Sequence, residues 1–262
     1  MDRAPRNTYK ALGRRAAFDP LSTRSRRKAE IMLMNATITE PLGAGTAAAR
    51  RVMVERQLRP YDVTDLEVLN RFLAVPREIF LPRHLAPVAY SDLSIEAANG
   101  DRWEPAPLVL ARFLQIADIR PHHKVLHIAG GEGYAAALLA GLAGEVVALE
   151  SDEKLAAKAR ENLAKVSASV RVVTGPLAKG APAEAPFDVI LVQGAVEYGL
   201  EGLISQLKPD GRLLAFKRHD PRAGMKAVRI DLSEGRVAGE RPVFDAAAPV
   251  LEEFAKPAAF VL

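Results

Sequence analysis

The spacing of apolar positions changes along this chain, and the change sets the elements to expect. From Gly45 the period is helical: Ala47, Ala48, Val52, Met53 and Leu58 fall on one face, and the pattern stops before Pro60. A second helix is expected from Asp65 to Leu73, with Leu66, Val68, Leu69 and Phe72 on its apolar side. Beyond an irregular stretch from Pro76 to Pro107, short continuous apolar runs take over. KVLHI (124–128), EVVALE (145–150), VRVVT (170–174), DVILVQ (188–193) and RLLAFK (212–217) have the length and branching of buried strands. Between them lie helical segments: AAALLAGLAG (135–144), SDEKLAAKARENLAKV (151–166), and a third between Glu197 and Leu207. Strands and helices alternating at this spacing produce a parallel sheet covered on both faces. KAVRIDL (226–232) and the final AAFVL (258–262) are β-rich and are expected to extend the sheet antiparallel; no internal repeat is present.

Composition narrows the class. Hydrophobic residues at 49% and charged residues at 26% are those of an ordinary globular chain. No apolar run reaches the roughly 18 residues of a membrane span, and the N-terminus lacks the apolar centre of a secretory signal, so a cytoplasmic location is expected. The chain has no cysteine, which excludes disulfides, thiolate metal sites and a cysteine nucleophile. His122 and His123 have no partners at ligand spacing and read as solvated, so no metal site is expected. Nine of the 36 basic residues lie in the first 33 positions, leaving the remainder slightly acidic. Residues 1–33 therefore read as a flexible basic tail, 34–106 as an N-terminal helical cap, and 107–262 as the α/β domain. The tail lacks the interleaved aromatics of a nucleic-acid surface, and no nucleic-acid partner is expected.

Candidate chemistry begins at VLHIAGGEGY (125–134), where Gly130, Gly131 and Gly133 lie at a strand-to-helix turn. Missing side chains there let a ligand approach the backbone amides at the helix start. Glu150 follows about 20 residues on, at the end of the next strand, where a carboxylate accepts both hydroxyls of a ribose. A plain tight turn with a surface glutamate would give the same residues, and nicotinamide dinucleotides use the same turn and acid. Val192, Gln193, Gly194 and Ala195 should line the same crevice, and their lack of charge suits an adenine or thioether better than a triphosphate. A Gly-Lys-Ser or Gly-Lys-Thr phosphate loop is absent, which argues against an NTPase.

A longer pattern adds to this. MVERQLRPYDVTDLEVLNRFLAVPREIFLPRHLAPVAYSD (53–92) resembles the N-terminal region of the protein-L-isoaspartate O-methyltransferases, and VLHIAGGEGY, VVALE, APFDVILVQGA (185–195) and LKPDGRLLAF (207–216) follow in that family's order. The resemblance covers about residues 50–218. It implies a doubly wound, mostly parallel α/β sheet of Rossmann-like methyltransferase type with an N-terminal helical cap. It also implies S-adenosylmethionine as cofactor and isoaspartyl residues of damaged proteins or peptides as substrate. By resemblance the cofactor crevice is framed by His127, Ala129, Gly130, Gly131, Gly133, Tyr134, Glu150, Gly175, Gln193 and Gly194.

Departures from the family pattern sit at the chemistry. His127 replaces the acid that holds the methionine end of the cofactor, Ala129 replaces the first loop glycine, and Gly175-Pro176 replaces the Gly-Asp that faces the adenine. NGDRWEPAP (99–107) stands where the family writes GQTISQP, and no serine or threonine hydroxyl occurs between Ile95 and Val109. Glu104 or Pro105 falls at the serine's place, and a charged Glu104 would repel a carboxylate substrate. Arg102 is a candidate to offset that by pairing with the substrate. Trp103 reads equally as a core anchor or a stacking surface, and Tyr90 and Asp92 as braces of the cap. A second expectation follows from these departures: a methyltransferase-fold protein without activity, serving as an accessory or assembly subunit beside a stable protein partner.

Overall fold

A computed structural model describes residues 44–96, 102–218 and 224–256. The described residues from Thr46 onward belong to one compact unit. The expectations for the basic tail and for AAFVL lie outside the described residues.

Strand β3 (Lys124–Ile128) forms the middle of a seven-stranded sheet and pairs in parallel with β4 (Glu145–Glu150) on one side and β6 (Phe187–Val196) on the other. β5 (Arg171–Thr174) continues beyond β4, and β7 (Leu207–Lys217) beyond β6, both parallel. β8 (Lys226–Ser233) and β9 (Arg236–Asp245) complete the order β5-β4-β3-β6-β7-β8-β9 as an antiparallel extension. β6 is buried along nine of its ten residues because sheet neighbours and covering layers enclose it, which is why its sequence reads as a continuous apolar run. Chain order reverses between β3 and β6, so a crevice opens outside their carboxyl ends.

The helices on the sheet begin and end for identifiable reasons. α1 (Ala44–Met53) passes into a π-helical turn over Val54–Leu58 and a 3-10 turn that holds Pro60. α2 (Leu66–Ala74) is capped by Asp65, whose carboxylate accepts the amides of Glu67 and Val68. α3 (Pro107–Ala117) begins on a proline at N1 and stops at Asp118, which is left-handed at φ 48°. α4 (Tyr134–Leu139) is shorter than the 135–144 expected. Arg71 donates to the carbonyls of Ala137 and Leu138 at its end, and its guanidinium fills the space beside Gly141. α5 (Glu153–Lys165) is capped by Asp152, and α6 (Glu201–Ile204) is one turn long. Met53, Leu58, Leu69 and Phe72 share one apolar cluster with Val125, Tyr134 and Leu214, so the N-terminal helices and one face of the sheet form a continuous core.

Four elements were not expected. α3 begins where the irregular stretch ends, at Pro107, in a segment for which no element was expected. β1 (Ile95–Glu96) and β2 (Trp103–Glu104) form a two-stranded antiparallel ribbon beside the sheet. β9 is exposed over most of its length, and its charges and Pro242 are those of a protected edge strand rather than an apolar run. His123 corrects a further expectation: it is buried, its Nδ1 accepts the Arg120 amide at 3.0 Å, and Arg212 lies beside it, while His122 is exposed.

Candidate functional site

The turn after β3 is built from backbone that side chains resist. Ala129, Gly131 and Gly133 have φ of 62°, 56° and 99°. A Cβ at Gly133 would meet the Cβ of Ala159 on α5 at 3.3 Å, so the glycine lets turn and helix close up. Ala129 tolerates the left-handed region at a cost of about 1–2 kcal/mol.

His127 explains Gly130. The imidazole is 2% exposed and lies under the loop, where a Cβ on Gly130 would come within 2.3 Å of its Cε1. Gln193 on β6 donates its amide to the Trp103 carbonyl at 2.7 Å, which leaves its oxygen to accept the His127 Nε2–H at 3.1 Å. The Nδ1 of His127 has no hydrogen-bond partner, and burial holds the ring neutral, its pKa lowered to about 4. Where an anion would attract a cationic ligand, this chain presents an uncharged ring packed against glycine.

Glu150 ends β4 at 3% exposure and is surrounded by donors. The amides of Ser151, Asp152 and Gly131 reach it at 2.8, 3.3 and 3.2 Å. Arg102, at the entry to β2, forks onto the same carboxylate, with Nε at 2.9 and 3.1 Å from its two oxygens and Nη2 at 2.5 Å from Oε1. Nη2 also donates to the Ser151 hydroxyl at 2.7 Å. Both side chains are more than nine-tenths buried, at 8% and 4% exposure.

Glu104 lies beyond Arg102 with Oε1 unpartnered and Arg77 Nε 4.0 Å away. Burial pushes its carboxyl up to about 7 against the opposing pull of Arg77 and Gln193. Burial also raises Glu132 on the glycine loop. Arg77 itself is fully buried, donates to the carbonyls of Ala89 and Pro105 at 3.0 and 2.8 Å, and lies over the Tyr134 ring. Arg102, Trp103, Glu104, Gly130, Gly131 and Glu132 line a cavity of about 20 Å³, room for roughly one water.

The structure thus brings Arg102, Glu104, His127, Ala129, Gly130, Gly131, Glu150 and Gln193 together at the carboxyl ends of β3, β4 and β6. Gly175 adjoins them through its amide, which donates to the Glu150 carbonyl at 3.1 Å. Gly194 faces elsewhere, with Leu251 2.5 Å from where its Cβ would be, and Tyr134 is buried in the core behind the turn. Sequence reasoning did not single out Arg77 or the contact of Arg102 with Glu150. Arg77 carried a signal as the arginine of the VPRE stretch (75–78); the ion pair joins residues 48 apart and carried none.

Comparison with known proteins gives one answer. The family profile described as Protein-L-isoaspartate(D-aspartate) O-methyltransferase (PCMT) matches residues 49–230. A protein-L-isoaspartate O-methyltransferase of Methanoculleus marisnigri is 39% identical over 189 residues, covering 72% of this chain and 84% of that one. One from Methylorubrum extorquens is 39% identical over 178 residues, 68% and 77% of the two chains. Among solved structures, a protein-L-isoaspartate O-methyltransferase superposes with a TM-score of 0.67 at 24% identity, covering 77% of this chain and 65% of its own. A putative one from Plasmodium falciparum, solved with S-adenosyl-L-homocysteine, gives 0.67 at 19% identity over 78% of this chain and 98% of that chain. These two likenesses carry the fold: a mostly parallel seven-stranded sheet flanked by helices.

Proposed function

Because the chain belongs to the protein-L-isoaspartate(D-aspartate) O-methyltransferase family, we propose that it is an S-adenosylmethionine-dependent methyltransferase acting on isoaspartyl carboxylates of proteins or peptides. The observation that carries this reading is Glu150, held at the end of β4 beside the amide of Gly131 at the point where the sheet order reverses.

The residues present suit the cofactor in kind. Glu150 would take the ribose hydroxyls, the turn from Ala129 to Gly133 would lie against the methionine part, and Gly175 with the uncharged end of β6 near Gln193 would border the adenine. When bound, the cofactor supplies a sulfonium methyl, and transfer to a carboxylate depends chiefly on bringing the two into line. His127 contributes shape, since its neutral ring supports the loop from below. Glu104, with a carboxyl near 7, holds a proton for a large part of the time at neutral pH. In that state it is able to donate a hydrogen bond in the stretch where the family has a hydroxyl, and it no longer repels the incoming carboxylate.

The test is methyl transfer from label-bearing S-adenosylmethionine to an isoaspartyl peptide, read as base-labile ester, beside the normal aspartyl peptide. Ester on the isoaspartyl peptide alone is the expected result; no ester on either overturns the reading. A second reading, an inactive family member serving as an assembly subunit, is favoured by one observation: the Glu150 carboxylate is already engaged by Arg102. Failure to bind S-adenosylhomocysteine at millimolar concentration would select it.

A further inference from the structure

We infer that Arg102 is an internal plug of the crevice, its guanidinium occupying the carboxylate acceptors of Glu150 that a ribose diol needs, so that nucleoside binding proceeds by exchange of one for the other. This rests on the proposed use of Glu150 toward the cofactor and adds a residue that opposes it.

An ionised carboxylate offers about four acceptor positions. Around Glu150 the amides of Ser151 and Asp152 reach Oε1 and that of Gly131 reaches Oε2, all fixed by the turn and the strand exit, and the Nε and Nη2 of Arg102 crowd the same two oxygens. With five donors on about four positions, a ribose diol finds no free acceptor while Arg102 is in place, and its departure opens the one position that the three amides leave. The backbone donors cannot leave without unfolding the turn, whereas Arg102 is a side chain, its Cβ 3.7 Å from where a Cβ on Gly131 would lie. The cavity beside it, bordered by Arg102, Trp103, Glu104, Gly130, Gly131 and Glu132, is about 20 Å³. A planar fork bound through two nitrogens is the strongest form of such a pair, and lysine would not reproduce it. If the plugged state holds nine-tenths or more of the molecules, apparent affinity for a nucleoside falls by about tenfold or more.

The experiment is calorimetric titration of the full chain with S-adenosylhomocysteine, comparing the natural protein with Arg102→Gln and Arg102→Met. The second variant keeps the aliphatic volume, so the comparison survives if one variant does not fold. The expected result is binding at least about tenfold tighter in the variants. The gain should be confined to ligands with the diol, so 2′,3′-dideoxyadenosine should bind natural and variant proteins alike. Equal or weaker binding by the folded variants, with clear binding by the natural chain, overturns the plug and leaves the methyltransferase reading standing. A gain shared by dideoxyadenosine overturns the competition for Glu150. No binding by the natural chain or either folded variant overturns both readings.

Discussion

Two residues in the crevice respond to pH in opposite directions. His127 is held neutral by burial, its pKa near 4 against an ordinary 6.5, so below 6.5 the unfolded chain gains a proton that the native one refuses. The stability it represents is complete above about 6.5 and is lost as pH falls toward 4. Glu104 is pushed from 4.5 to about 7, so the native state keeps a proton that the unfolded chain releases. Its contribution is complete below 4.5 and is lost as pH rises through 7. Glu104→Gln, a permanently neutral side chain, should therefore gain stability relative to the natural protein between pH 5 and pH 8, by on the order of 1–3 kcal/mol. Denaturant titration at the two pH values measures it; an unchanged difference would mean that the carboxyl does not titrate in this range. Neither shift was legible in the sequence. His127 was visible as a replaced acid, but its pairing with Gln193 and its place under Gly130 depend on a contact between strands 66 residues apart.

At the scale of elements, the β3–α4 turn offers a paired prediction. Ala129→Gly should stabilise by about 0.5–1 kcal/mol because it relieves a side chain at φ 62°. Gly133→Ala should destabilise by about 1–3 kcal/mol, since a Cβ meets both a φ of 99° and α5. Thermal melts of the two variants, moving in opposite directions, check this. β3, β4, β6 and β7 were legible because a buried parallel strand is continuously apolar, and β8 because a covered antiparallel one is nearly so; β5, an edge strand with no buried residue, was legible from its β-branched run. β9 was not, because its neighbour β8 covers one edge only and its faces remain wet. Its signal was the two-residue turn, Glu234 and Gly235 at φ 52° and 76°, the geometry of a tight hairpin. α3 hid behind the proline that starts it, and α4 stopped early because Arg71 serves its last carbonyls from α2.

For the whole molecule, a parallel sheet covered on both faces was legible in the alternating periods, and a crevice outside the carboxyl ends of its strands followed from that, whereas the strand order was not. What the crevice contains did not follow. Its contents arrive from far along the chain: Arg102 and Glu104 from the β1–β2 ribbon, Glu150 from β4, Gln193 from β6. The presence of Glu104 could be read from the sequence, but the burial that raises its pKa, the guanidinium that reaches Glu150 and the burial that neutralises His127 arise only on folding.

Trp103 is the only tryptophan in the chain, and it follows Arg102 directly. It is 5% exposed, rests edge-on against Phe216 with ring centroids 5.3 Å apart, and is tied through its carbonyl to Gln193. The protein therefore contains one indole fluorophore, excitable apart from its five tyrosines and situated beside the side chain that guards the crevice. Its emission should be blue-shifted in the native state and should change when S-adenosylhomocysteine displaces Arg102, so that occupancy of the crevice can be followed optically, in millisecond mixing, without a label.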